Sequence, residues 1–390
     1  MTQPSSQPLA GIRVADFSHV MAGPYASHLL RLMGAEVIKI EPKGGDNFRN
    51  YGGDRRYDGM APAFIAANAG KKSIALDLKD PADHGVARRI VARSDVLLEN
   101  YRPGVIDRLG LGFDTVRADN PEIVFCSVSG YGQTGPQHDW PAIDNIVQAT
   151  SGMMMLSGGE GDPPMRVGFP IVDTLTGQTA AVAILSALFK RAQGGGGSHI
   201  EVSMFDASLA FMTSALTPYL TTGEPMKRMG NTGYSGLPTA SLFIARDGRE
   251  VSLGVVQPNQ FAALATLLGR EDWLADERFA APDARRANFD AMKGALAAEM
   301  VRRDAADWEA DMSAAGIPCG MVRRVDEAAA LAGAGALLPL TIPGLPGGED
   351  IRIPGAGFRM AEGGPGTDLP PPRLDEHRAE ILAWLETDNA

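Results

Sequence analysis

The feature that most constrains the fold of this chain is an alternation of short β-type runs with helical stretches through its first half. Residues 12–17 and 36–41 are β-type runs, and they enclose a helical stretch over residues 25–33 that ends at Gly34. The alternation continues along the chain, with further helices and strands predicted at residues 81–93, 95–99, 122–128 and 198–203. This order predicts an α/β fold with a large Rossmann-like domain, in which helices cover a parallel sheet.

The pattern of predicted elements changes near residue 224, where a loop is followed by a strand over residues 250–256 and by mixed helices. A chain of 390 residues also exceeds what one hydrophobic core usually serves. A Gly/Pro-rich stretch over residues 343–372 then leads to a last helix over residues 375–385. We therefore predict a large domain, a smaller α/β domain and a return segment that completes the large domain, over residues 1–223, 224–325 and 326–390.

Charge and cysteine content exclude several classes of function. The net charge of -11 argues against nucleic acid as a partner, because binding to phosphate backbones needs a concentrated basic surface. Residues 1–110 nevertheless carry 15 Lys+Arg against 12 Asp+Glu, which favours a phosphate-bearing ligand in this part of the chain. Cys126 and Cys319, far apart in sequence, are expected to be free thiols in a reducing compartment, so we predict a cytoplasmic protein.

Neither a leader nor a membrane segment is expected. Residues 1–8 are polar and lack the basic start and apolar run of a signal peptide. The longest apolar stretch, residues 180–189, is too short to cross a bilayer and is followed by Lys190 and Arg191. We therefore expect no membrane partner.

The motifs of several common enzyme classes are missing. The sequence has no Ser nucleophile elbow and no GxGxxG between a strand and a helix, and its histidines have no companion ligands at metal spacing. We expect no metal and no permanently bound cofactor.

Asp173 is the carboxylate with the most distinctive position. It ends a short apolar run and opens an apolar helix, predicted over residues 174–191. This position predicts an N-cap, in which the carboxylate accepts backbone N–H groups and meets the positive end of the helix dipole. The same interactions would lower its pKa and keep it ionised, as a nucleophile requires. The sequence leaves a purely structural cap and a catalytic carboxylate both open.

Several blocks resemble one family, the class III CoA-transferases, which include formyl-CoA transferase and carnitine-related CoA-transferases and have α-methylacyl-CoA racemase as a relative. The blocks occur in order over most of the chain: LAGIRVADFSHVMAGP, GAEVIKIEP, NAGKKSIALDLKDP, SDVLLENYRPGVIDRLGLG, SVSGYGQTGP, DNIVQATSG, VDTLTGQTAAVAILSALFKR and GIPCG. The resemblance implies an enzyme that moves coenzyme A (CoA) from an acyl-CoA donor to a carboxylic acid, with both as substrates. It also implies a homodimer of two interlocked, ring-shaped chains.

The resemblance assigns roles to particular residues. The family nucleophile falls on Asp173, which would form a mixed anhydride with the acyl group and then a thioester with CoA. The CoA contacts fall on eight residues: Val20, Met21, Leu76, Lys79, Asn100, Tyr101, Arg102 and Arg108. Lys and Arg are natural partners of pyrophosphate and phosphate groups. The substrate loop falls on Gly233, Tyr234 and Gly236.

The chain departs from formyl-CoA transferase at three places. Pro42 stands where that enzyme has a basic residue, Ile143 stands where it has Tyr, and GYSGLP stands in place of a four-glycine loop. These departures argue against oxalate and formate as substrates. The nearby Lys227, Arg228 and Asn231 instead favour a small dicarboxylate such as succinate or a branched diacid.

Two other functions stay open at this stage. An acyl-CoA racemase or epimerase of the same fold needs a His where this chain has Ile143, and His138 is out of register. A non-catalytic acyl-CoA-binding protein gives no reason for a carboxylate at residue 173 beyond capping.

Overall fold

The computed structural model describes residues 7–53, 57, 59–333 and 335–387. By their contacts these residues form two compact units. The first unit contains the chain up to Met153, Arg166–Thr222 and the segment from Gly333 onward, and the second contains Met154–Met165 and Gly223–Ala332. The second unit thus includes residues 154–165, which sequence analysis assigned to the large domain.

The first unit alternates strands and helices as the sequence predicts. Its elements up to residue 222 are β1 (Arg13–Asp16), α1 (Ala22–Leu32), β2 (Glu36–Glu41), α2 (Pro62–Asn68), β3 (Lys72–Ala75), α3 (Pro81–Ala92), β4 (Val96–Glu99), α4 (Val105–Arg108), α5 (Phe113–Asp119), β5 (Val124–Ser129), α6 (Asp144–Thr150), α7 (Ile171–Lys190), β6 (Ser198–Ser203), α8 (Met204–Phe211) and α9 (Thr213–Thr222).

These strands form a six-stranded parallel sheet in the order β3-β2-β1-β4-β5-β6. This is the Rossmann strand order, so the predicted α/β class is confirmed. One face packs against α1 and α7 through residues such as Leu30 and Ile184. The other packs against α3 through Ile90. Strand order reverses between β1 and β4, where such sheets usually bind ligands beyond their carboxyl ends.

Helix α7 packs closely on α1. At Gly177 a Cβ atom would lie 2.6 Å from the carbonyl oxygen of Ala22, so only glycine allows this approach. By length and composition the helical segment Ile171–Gly195 is able to cross a membrane, although half of its apolar window is buried in the protein. Core helices of soluble proteins meet the same criterion, so this is a weak indication, and the absence of a membrane partner stays a prediction.

The second unit has its own sheet and core. Its elements are β7 (Leu242–Ile244), β8 (Glu250–Leu253), α10 (Pro258–Leu268), α11 (Pro282–Ala287), α12 (Phe289–Met300), α13 (Ala305–Ala314), β9 (Cys319–Met321) and α14 (Val325–Ala330). The three strands are antiparallel in the order β7-β8-β9. Helices pack on them through Phe261, Trp273 and Trp308, which are almost fully buried.

The last part of the chain completes the first unit. It contains the antiparallel pair β10 (Leu337–Leu340) and β11 (Ile351–Pro354), followed by α15 (Arg378–Glu386). Ile381 and Leu385 of α15 are buried in the core beside α3. Just before the helix, Asp375 accepts the N–H of Ala75 on the edge strand β3 at 2.8 Å.

Candidate functional site

The turn between β1 and α1, residues 17–21, lies at the carboxyl edge of the sheet, and buried polar groups fix its backbone. Asp16 accepts the N–H of Ser18 at 2.9 Å and the hydroxyl of the same residue. From β2, the Lys39 ammonium group donates to the Ser18 carbonyl at 2.7 Å. Because parallel strands end together, side chains of neighbouring strands meet at this turn.

Asn100, one of the residues expected to contact CoA, bonds the turn directly. Its amide oxygen accepts the N–H of His19 and its amide nitrogen donates to the carbonyl of His19, both at 2.9 Å. The side chain thus joins the end of β4 to the turn after β1. In this structure Asn100 is a scaffold residue of the turn.

A cavity of about 500 Å³ opens beside this turn in the first unit. Of the predicted CoA contacts, Leu76, Lys79 and Tyr101 line it. Three others, Val20, Met21 and Asn100, lie on or against the turn but do not line the cavity. The remaining two, Arg102 and Arg108, are exposed on the segment that leads to Leu109, and Leu109 lines the cavity.

Sequence reasoning missed two lysines of this cavity. Lys39 and Lys43 both line it. Lys43 follows Pro42 directly, so a basic residue stands one position beyond the departure noted in the sequence. Its ammonium group pairs with Asp83 at 2.6 Å. Lys43 and Lys79 place cationic side chains at this cavity, as a phosphate-bearing ligand would require, whereas the ammonium group of Lys39 is buried and paired with Asp46.

Asp173 lies in the first turn of α7, and the predicted N-cap is wrong. The helix begins three positions earlier than predicted, and the residue at its cap is Pro170, which has no side-chain acceptor. The start of α7 is instead capped by Asp144 of α6. One oxygen of Asp144 accepts the N–H of Val172 at 2.7 Å and that of Asp173 at 3.2 Å.

Asp144 is itself fixed by Gln148, one turn later on α6. The Gln148 amide donates to the other oxygen of Asp144 at 2.6 Å and accepts the N–H of Val167 at 2.8 Å. Gln148 is fully buried. Asp144 therefore has little freedom to move away from Asp173.

Burial, followed by the negative charge of Asp144, raises the pKa of Asp173 to about 7. The lowered pKa expected from capping is therefore wrong, because the backbone donors at the start of α7 bond Asp144 instead. A carboxylate with this pKa is half ionised near neutral pH and is a stronger base than an ordinary aspartate. Strongly perturbed carboxyl groups of this kind are typical of reactive sites.

The predicted substrate residues lie in a tight turn of the second unit. Gly233 donates its N–H to the Ala240 carbonyl at 2.6 Å, Gly236 has a φ of +65°, and Tyr234 is largely exposed. Nearby, the Arg228 guanidinium donates to the carbonyls of Ser157, Asp162 and Pro163. These hydrogen bonds hold residues 154–165 in this unit. They also occupy the guanidinium group of Arg228, which was expected to favour a dicarboxylate.

No group of three or more His, Cys, Asp or Glu side chains is arranged for a metal ion within the part of the chain that the structure describes. A Rossmann-type sheet with a lysine-lined cavity at its carboxyl edge, together with an aspartate of raised pKa, is typical of an enzyme with a phosphate-bearing ligand. Residues 9–378 match the family described as CoA-transferase family III. The chain belongs to this family and is an enzyme that transfers CoA between an acyl-CoA and a carboxylic acid.

Individual relatives agree along nearly the whole chain. An acetyl-CoA:oxalate CoA-transferase of Acetobacter aceti is 38% identical, over 96% of this chain and 95% of the relative. A succinate–glutarate CoA-transferase of Agrobacterium fabrum is 34% identical, over 97% and 96%. The crystal structure of a CAIB/BAIF family protein from Brucella suis superposes with a TM-score of 0.86 at 30% identity and covers 98% of this chain and all of that one.

Proposed function

We propose that Asp173 is the covalent nucleophile of CoA transfer. The observation that supports this role is the raised pKa of a carboxyl group fixed at the start of α7 by Asp144. Half ionisation near pH 7 gives a nucleophile whose basicity exceeds that of a solvated aspartate. The family resemblance also supports a nucleophile at this residue.

In the proposed reaction, an Asp173 oxygen attacks the thioester carbonyl of the donor. The C–S bond breaks, which gives an aspartyl mixed anhydride and CoA thiolate. The thiolate attacks the aspartyl carbonyl, releases the donor acid as a carboxylate and forms an aspartyl-CoA thioester. The acceptor carboxylate then displaces the thiolate to form a second anhydride, and the thiolate attacks its acyl carbonyl and frees Asp173. Overall one CoA thioester and one carboxylate are replaced by another thioester and another carboxylate, so no other energy source is needed.

Replacement of the nucleophile tests this mechanism. We expect Asp173→Ala to lower kcat by at least about 10³-fold while CoA still binds. In the wild-type enzyme with donor alone, mass spectrometry should find CoA attached to Asp173, and hydroxylamine should trap the aspartyl group. An active alanine variant would refute the mechanism, and a wild-type enzyme without an adduct would favour a protein that only binds acyl-CoA.

We further propose that CoA binds in the cavity beside the residue 17–21 turn. Lys43, Lys79 and the exposed Arg102 and Arg108 would hold its phosphates. Leu76 and Tyr101 would contact its apolar parts, and Val20 and Met21 would shape the turn. Lys79→Ala should raise KM for acyl-CoA about 10-fold and change kcat little, because a phosphate contact acts equally in the ground and transition states. An unchanged KM would place the phosphates elsewhere.

We propose a dicarboxylic acid as the acceptor. The names of the relatives support this class, since oxalate, succinate and glutarate are all dicarboxylates. Oxalate therefore belongs in the assay despite the departures from formyl-CoA transferase. A panel of mono- and dicarboxylates with succinyl-CoA and acetyl-CoA as donors tests the proposal. Transfer to monocarboxylates alone would contradict it, and Lys227→Ala shows whether the neighbour of Arg228 takes part.

We propose that the active enzyme is a cytoplasmic homodimer of interlocked, ring-shaped chains. Besides the family resemblance, large apolar side chains left exposed on α7, α8 and α9 of a single chain support an extensive partner surface.

A further inference from the structure

We propose that the buried ion pair Lys39–Asp46 is a positioning device that holds Val20 in a left-handed conformation and so shapes the wall of the CoA cavity. The proposal rests on the proposed binding of CoA in this cavity. Lys39 and Asp46 both line it, as do Ser18 and His19, the two residues before Val20.

The backbone of Val20 adopts a conformation that its side chain disfavours. Its φ is +66°, and Asp375 is the other non-glycine residue with positive φ within the described ranges. A β-branched residue in the left-handed region is a genuine outlier, because its Cβ crowds the following carbonyl. Such a conformation persists only where surrounding interactions hold it.

Asp46 provides that interaction. Both of its carboxylate oxygens lie 3.1 Å from the N–H of Val20. A carboxylate accepting a backbone N–H forms a stronger bond than a neutral acceptor does. The same carboxylate also accepts the N–H of Phe48, which anchors it to the next segment.

Lys39 makes the buried carboxylate tolerable. Its ammonium group lies 3.0 Å from Asp46, and both side chains are essentially inaccessible to solvent. It also donates to the Ser18 carbonyl at 2.7 Å. The ion pair thus bonds the turn at Ser18 and at Val20, on either side of His19. The side chain of Asn100 bonds the N–H and the carbonyl group of His19 itself.

The conformation of Val20 affects the residues that precede it in the cavity wall. With Val20 at positive φ, Ser18 and His19 line the cavity and α1 begins at Ala22. If Val20 relaxed to negative φ, the two preceding residues would rotate away from this wall. The ion pair therefore acts on CoA through the backbone.

The test removes the ion pair without leaving a lone buried charge. In the double variant Lys39→Met/Asp46→Leu, apolar side chains replace both partners, an exchange that folded proteins often tolerate. Calorimetric titration with CoA should show about 10-fold weaker binding, and KM for acyl-CoA should rise more than kcat falls, because Val20 loses the acceptor that holds its conformation.

Substitutions at Val20 identify the cause. Added to the double variant, Val20→Gly should restore most of the CoA affinity, because glycine adopts positive φ freely, whereas Val20→Ala should not. Equal rescue by both, or by neither, would overturn the positioning role. If the double variant does not fold, Asp46→Asn replaces it, with a loss of about 3-fold that Val20→Gly again reverses.

Different results would overturn the proposed binding of CoA in the cavity and the positioning role of the ion pair. A wild-type enzyme that does not bind CoA would overturn both the proposed cavity and the positioning role. Normal binding by the wild type and by the double variant would overturn the positioning role alone.

Discussion

At the scale of residues, Asp144 and Asp173 divide two tasks between them at the start of α7. Asp144 accepts the helix N–H groups and the Gln148 amide, so it holds the helix in place. Asp173 is thereby left with a raised pKa, because burial and the neighbouring charge are not offset by the helix donors. The raised pKa of Asp173 therefore depends on the structural role of Asp144.

The acidic limb of the pH–rate profile tests this division. Ionised Asp173 is the proposed nucleophile, so kcat/KM should fall as pH drops below about 7. Asp144→Asn removes a negative charge while keeping an oxygen for the backbone donors. The pKa of Asp173 should fall, and the limb should move to lower pH.

Asp139→Asn is the matched control, since Asp139 is an exposed carboxylate shortly before α6. Its profile should keep the wild-type limb. A limb that stays in place in Asp144→Asn would show that burial alone raises the pKa.

The same pKa predicts a cost in stability. A carboxyl group whose folded-state pKa is raised binds more protons when folded, so stability is lost as pH rises from about 4 to about 7. Asp173→Asn removes this cost, so it should raise the melting temperature more at pH 8 than at pH 5.5. The gain in free energy of unfolding should be larger at pH 8 by about 1–2 kcal/mol. A gain that is the same at both values would contradict the raised pKa.

Sequence reasoning reached Asp173 through its position and through the family resemblance, but it could not assign Asp144. The DNIVQATSG block was noted without a role for its first residue. The bonds from Asp144 to Val172 and Asp173 span 28 and 29 positions. Such a contact follows from tertiary packing, and spacing within a block carries no signal for it.

At the scale of elements, the contact between α1 and α7 limits what Gly177 can become. A Cβ there would lie 2.6 Å from the Ala22 carbonyl oxygen and 3.0 Å from the Tyr25 ring. We expect Gly177→Ala to lower stability by about 1–3 kcal/mol, because the helices must separate. Thermal denaturation measures the loss.

Gly85 of α3 supplies the opposite control. A Cβ there meets nothing within 4 Å, so Gly85→Ala should stabilise the protein by about 0.5–1 kcal/mol through helix propensity. If both variants shifted the melting temperature alike, close helix packing would not be the cause.

Elements with strong patterns were predicted closely. Strands β2 and β6 begin and end where the sequence placed them. Strand β3, which is only four residues long, was not predicted. The start of α7 was placed too late, because Asp173 reads as a cap when the contribution of Asp144 is unknown.

At the scale of the whole molecule, the exposed apolar side chains of α7–α9 bear on the proposed dimer. They include Val182, Phe189, Phe211 and Leu220, of which Leu220 is 70% exposed in a single chain. Sedimentation should give twice the 41.2 kDa of one chain at every dilution, because interlocked chains separate only on unfolding. A folded monomer at low concentration would contradict the interlocked arrangement.

The division of the chain was harder to predict than its fold class. Residues 154–165 lie within a Gly/Pro-rich stretch between two elements of the first unit, so nothing local indicates that they pack elsewhere. Carbonyl groups accepting from Arg228, some 65 to 71 positions later, decide their place. Amino-acid composition does not predict to which backbone carbonyl groups a guanidinium group far away in the sequence will donate.

The cover of β3 by the end of the chain has a consequence for biosynthesis. Ala75 and Asp375, which share a hydrogen bond, are separated by 300 positions. A ribosome therefore releases the edge strand long before the segment that covers it, and the whole second unit emerges in between. Throughout that interval the nascent sheet presents an open edge and lacks Ile381 and Leu385 in its core. The first-made half of the chain therefore completes its sheet edge and its core only when the last helix emerges.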